Sequence, residues 1–174
     1  SRIFKLLKIF MSEEIPVLID LGNKKDNQDQ VQLISLVAPL IESMTSRILI
    51  KDLSYKQKLN IRMHAFIWGY LNNLTYSNAK KISISTNNKK VLLSSSLSLH
   101  SILFNNSVKD CQLEYEAFKS VYDNDANQVN REEFLNGAKA AKEDIEQLGE
   151  ENPNKSSTLP NLNYFLLKKY EQFK

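Results

Sequence analysis

Asp123, Asp125 and Asn127 place three side-chain oxygens at alternate positions, and Glu133 adds a carboxylate further along the same stretch. Hard oxygen donors at such a spacing suit a divalent cation, Ca2+ above others, because that ion takes six to eight oxygen ligands in a loop that can wrap it. Other reactive side chains are sparse. The chain has one cysteine, Cys111, and two histidines, His64 and His100. A histidine needs a nucleophile, acid or base in a defined arrangement to do catalysis, and neither has one nearby in sequence. Cys111 reads as a small buried hydrophobe.

The stretch FKSVYDNDANQVNREEFLNGA resembles an EF-hand over about 25 residues, with oxygens at the first, third and fifth loop positions and a glutamate before an apolar residue. The resemblance implies Ca2+ held by Asp123, Asp125, Asn127 and Glu133. Two departures weaken it: Glu133 falls one position early, and Gln128 stands where the family has the glycine of its sharp turn. A shortened loop binds weakly or not at all. The competing reading is a polar connection between helices, with Asn130 as helix cap and Glu133 as its capping-box partner.

Composition excludes several classes. A net charge of +3 is too small to argue for nucleic acid by itself. Residues 129–151 sum to −4 and the remainder to +7, an asymmetry that internal pairing and solvation explain. One cysteine allows no intramolecular disulfide and points to a reducing, cytoplasmic setting. One cysteine and two histidines cannot make a Cys/His zinc cluster. With four glycines there is no phosphate-cradling loop, and the pairs Lys80–Lys81, Lys89–Lys90 and Lys168–Lys169 lack a recognition helix or stacking platform. No window reaches the apolar length of a membrane span, and no signal-peptide pattern opens the chain.

Helices must position what remains. Ser54 and Gln57 form a capping box, and Leu59, Met63, Phe66, Ile67, Tyr70, Leu71 and Leu74 then share one face, predicting a continuous central helix over 54–74 with Phe66 and Leu71 deep in the core. Before it, residues 2–11 form an amphipathic basic segment, Ile15–Leu21 is a strand or extended segment, and 22–30 is a loop. Asp29 caps a helix striped by Leu33, Leu36, Val37, Leu40, Ile41, Met44 and Ile48, which Pro39 is expected to kink or break. After it, Ile82 and Ile84 against Val91 and Leu93 fit a small β-hairpin near 81–93, in competition with a helix from about 90 to 104. The serine cluster at 94–96 reads as loop or weak helix start. Helices over 108–122, with Cys111, Phe118, Val121 and Tyr122 inward, over 130–148, and from Pro160 with Leu162, Phe165, Leu166, Tyr170 and Phe173 as its face complete the set, with 150–158 as connector.

These observations predict a mainly α, single-domain bundle of five to seven helices spanning 1–174. With no catalytic constellation in view, the expected function is a non-catalytic protein-interaction module, an adaptor or inhibitor of a partner protein. One alternative is a divalent-cation-responsive protein using 123–133. Another is a membrane-surface module using residues 2–11, which could instead dock on the core. No organic cofactor and no nucleic-acid partner is expected, and Ca2+ is the single candidate ion.

Overall fold

The computed structural model describes residues 18–124, 128–148 and 159–174, and among these it is mainly helical. Eight helices follow one another: α1 (Lys24–Glu42), α2 (Ser46–Ile50), α3 (Tyr55–Arg62), α4 (Ala65–Lys81), α5 (Lys89–Phe104), α6 (Val108–Asn124), α7 (Gln128–Leu148) and α8 (Pro160–Gln172). The mainly helical class is as expected; the count exceeds the five to seven expected, and the described residues contain no strand. The basic segment 2–11, most of the extended run 15–21 and the connector 150–158 lie outside the described residues.

Two breaks add helices: α2 is separate from α1, which ends at Glu42, and the central stretch is itself divided. Ser54 and Gln57 do form the capping box of α3. That helix stops at Arg62, and His64 starts α4 by accepting the Phe66 N–H on its ring at 3.1 Å. The apolar stripe continues across the break, so periodicity alone does not register it. Leu71 is fully buried as expected, whereas Phe66 is half-buried at the edge of the core.

Caps explain the other differences. Asn23, not Asp29, caps α1, its side chain accepting the Asp26 N–H at 2.8 Å. Asp29 lies inside the helix, paired with Lys25. The helix runs through Pro39 to Glu42 without the expected break, since the ring lies near its end and costs only a last-turn hydrogen bond. Asn130 is likewise inside a helix, because α7 begins at Gln128.

The hairpin is replaced by a helix ending. Ser83 adopts φ +60°, with Ser83 N donating to the Lys80 carbonyl and Ile84 N to that of Ala79, a Schellman closure of α4. Ile84 then packs with Ala79, Leu33 and Val91, so both alternating isoleucines are used without a strand. Asn88 caps α5, and Ser94, Ser95 and Ser96 are buried inside it rather than looped. Ser94 and Ser96 donate back to the carbonyls of Val91 and Leu92, which satisfies a hydroxyl within its own helix and leaves room for close packing.

At the centre, α4 supplies Ile67, Tyr70, Leu71 and Leu74 to one core shared with α1, α5, α7 and α8. Its tightest crossing is with α7, through Gly69 and Gly137. A Cβ on Gly69 would stand 1.9 Å from the Phe134 carbonyl oxygen, and one on Gly137 2.0 Å from that of Phe66. A second cluster of Ala65, Trp68, Leu97, Cys111 and Phe118 packs α4 and α5 against α6. Val121, expected inward on α6, is exposed. Among the described residues no helix is long and apolar enough to cross a membrane.

Candidate functional site

The α4–α7 crossing leaves one stripe of α7 open. Val129, Glu133, Asn136, Ala140 and Glu143 recur at three- and four-residue spacings, so they share a face about 21 Å long. Between this face and α3 lies a hollow of about 480 Å3 with Leu59, Met63 and Val129 on its walls. Between it and α8 lies one of about 380 Å3 walled by Phe66, Ala140, Tyr164 and Phe165. Glu133 stands between them, so the groove along α7 consists of two adjoining hollows with a carboxylate at their boundary.

Aromatic contacts shape the groove. Phe66 and Phe165 stack at 4.1 Å, and His64 meets Phe165 edge-on at 5.1 Å. Lys168 lies over the Tyr164 ring at 5.0 Å and Lys169 over Phe165 at 5.7 Å, giving the rim cations ring partners. The floor is apolar, and the rim is polar and of mixed charge.

His64 is an acceptor at the N-terminus of α4, a role only its neutral form can fill. Burial, and then the charge of Lys169, hold its pKa down to about 4. His100 is fully enclosed, stacked face to face on Trp68 at 4.1 Å. Its Nε2 lies 2.9 Å from the Arg62 carbonyl, which can only accept. Nε2 therefore carries the proton, and the bare Nδ1 accepts the Cys111 thiol at 3.3 Å.

This pairing of His100 with Cys111 is invisible in a sequence that separates them, yet Glu114 joins them within a 4.8 Å circle of potential metal donors. The donor set does not fit a cation as it stands. Arg62 already holds Glu114, with Nη2 at 2.9 Å and Nε at 3.1 and 3.3 Å from its two oxygens. Burial first, then Glu114, pushes the Cys111 thiol up to about 12, so at neutral pH it is no nucleophile. The circuit clamps α3, α5 and α6 together.

His100 has a consequence for acid stability. Burial takes its pKa down to about 3, against the opposing effect of its bond to Arg62, while the unfolded chain titrates near 6.5. Between those values the unfolded state binds the extra proton, so stability is full above pH 6.5 and falls as pH drops toward 3. The expected slope from this residue is about 1.4 kcal/mol per pH unit. Urea unfolding at pH 7, 6 and 5 measures it, and His100→Gln should flatten the slope; an unchanged slope in that variant would refute the assignment.

Of the four sequence-derived metal candidates, Asp125 and Asn127 lie outside the described residues. Asp123 sits in the last turn of α6, accepting from Lys119 at 2.8 Å, and Glu133 sits on α7 at the groove. Calcium binding is expected no tighter than about the millimolar range, because helix occupies both ends of the span that would have to wrap the ion. Isothermal titration of chelator-stripped protein checks this; a micromolar constant abolished by Glu133→Gln would reverse it.

No family model, curated protein or solved structure matches the chain.

Proposed function

We propose that this protein is a non-catalytic helical interaction module, an adaptor or inhibitor that takes a segment of a partner protein into the α7 groove. The observation that carries this reading is the groove's length combined with its floor. A face of about 21 Å accommodates about four turns of helix. Leu59, Met63, Val129, Phe66 and Tyr164 offer it apolar anchor points. Helix-in-groove recognition needs anchors at i, i+3/i+4 and i+7 along such a face.

The test compares captured partners across variants. Met63→Glu and Tyr164→Glu place charge on the floor at half-buried and exposed positions, and Leu113→Glu places it at an exposed site on α6. A partner retained by the wild type and Leu113→Glu should be lost, at least about tenfold in affinity, from both groove variants, since a central apolar anchor contributes 2 kcal/mol or more. Equal retention by all four proteins would reject the groove as the binding surface.

A further inference from the structure

We propose that the pocket between α2, α3 and the end of α5 binds one phosphate group, either free phosphate or the head of a phosphomonoester. Its walls carry Arg47, Lys51, Lys58 and Arg62 and no carboxylate, around a cavity of about 90 Å3. It shares no lining residue with the groove along α7.

Two short elements supply the charge. Arg47 and Lys51 stand four residues apart at α2, and Lys58 and Arg62 four apart at α3, so each pair shares a face. Like charges at that spacing repel, and the fold brings both pairs to one cavity. The two arginines have internal duties. Arg47 donates through Nε to the carbonyls of Ile102 at 3.0 Å and Leu103 at 3.2 Å, which offsets the negative end of α5. Arg62 is 5 % exposed and is held by Glu114, so it is a wall of the pocket rather than a donor to it. Neither duty engages Lys51 or Lys58, which have no hydrogen-bond or ion-pair partner among the described residues. Their two charges are left uncompensated.

The donors are open to a ligand. Arg47 Nη1 has no partner among the described residues, and neither it nor the half-buried Lys58 Nζ is sealed from solvent. Lys51 is exposed. Two ammonium groups and the free edge of a guanidinium, arriving from two helices, suit the several oxygens of a tetrahedral anion better than the planar pair of a carboxylate. The volume is about three times the ~30 Å3 share of a water molecule, enough for one phosphate group and too small for a sugar or base as well. Ile50 and Leu103 back the cavity as buried apolar walls, and a low-dielectric wall strengthens the pull of one-signed charge on a dianion.

The full-length protein is titrated with inorganic phosphate at fixed ionic strength, by calorimetry and by melting temperature, with acetate as the planar monoanion. Phosphate should bind saturably and raise the melting temperature, and acetate should bind at least about tenfold more weakly. Lys51→Gln and Lys58→Gln should each weaken phosphate binding about fivefold. Both should melt, without ligand, within a few degrees of the wild type, because neither side chain has an internal partner. Lys81→Gln, which removes an exposed lysine at the end of α4, should bind phosphate like the wild type. Sedimentation with phosphatidylcholine vesicles, with and without phosphatidic acid, identifies the source of the group. Retention on the acidic vesicles that free phosphate competes away and the Lys51 and Lys58 variants lose makes it a lipid headgroup; no retention makes it a soluble phosphate, and the site stands in both cases. A phosphate site is ruled out if phosphate binds no better than acetate, if both pocket variants bind like the wild type, or if Lys81→Gln weakens binding as much as they do.

Discussion

Gly69→Ala is expected to destabilise the protein by about 3 kcal/mol or more, at the upper end of overpacking effects. The new methyl would lie 1.9 Å from the Phe134 carbonyl oxygen and 2.9 Å from its Cα, atoms of the α7 backbone that no rotamer change can move aside. Relief requires α4 and α7 to separate, and Ala141 and Ile145 of α7 would then lose contact with the central core. Gly137→Ala repeats the collision from the other helix, against the Phe66 carbonyl and Tyr70 nitrogen. In isolation both substitutions raise helix propensity by about 1 kcal/mol, so the packing term has to exceed an opposing local gain. Equilibrium urea unfolding measures the balance. A loss below 1 kcal/mol in both variants would show that the helices do not cross at these glycines.

Asp144→Ala should cost a comparable amount, about 3 kcal/mol. Its carboxylate is buried and accepts the Tyr70 hydroxyl at 2.7 Å, the Asn161 N–H at 3.1 Å and the Leu162 N–H at 3.3 Å. It thereby supplies the cap that α8 lacks locally, since Leu159 precedes the helix without a side-chain cap. Burial raises the Asp144 carboxyl above the usual carboxylate range, with the three donors opposing. The same burial pushes the Tyr70 hydroxyl well above its ordinary value, keeping it a donor. Removal of the carboxylate orphans all three donors, whereas Asp144→Asn keeps one acceptor oxygen and should cost roughly half as much. Hydrogen exchange at Asn161 and Leu162 should accelerate in Asp144→Ala. Unchanged protection there would mean that the cap does not hold α8.

Much of the helical pattern is legible in the sequence. Ser54 with Gln57, Pro160 at a helix start, and the stripes of Leu33–Val37–Ile41 and Leu162–Leu166 each carry their signal within one or two turns, and the helices stand where those signals lie. Asn130 and Asp29 show the limit of that logic. Both are good capping residues, yet each lies inside a helix, because a cap acts only where the backbone upstream leaves the helical conformation. The EF-hand likeness at 123–133 is legible as chemistry, but the residues that close it stand on helices whose ends the motif does not specify.

The sequence by itself determined that the chain is helical, that Ile67, Tyr70, Leu71 and Leu74 share a buried face, and, apart from the exposed Leu36, which face of α1 and α8 turns inward. These follow from spacing along one chain and need no neighbour. The break at His64, the Gly69–Gly137 crossing, the burial of the serines in α5, the meeting of His100 with Cys111 and the groove along α7 were decided only by tertiary structure. At the crossing and at the histidine the deciding atom comes from a distant segment, the Phe134 carbonyl opposite Gly69 and the Arg62 carbonyl opposite His100, as does the Asp144 carboxylate that caps the start of α8. Periodicity marks a face as buried; what is packed against that face decides whether it holds a glycine, a buried histidine or an open groove.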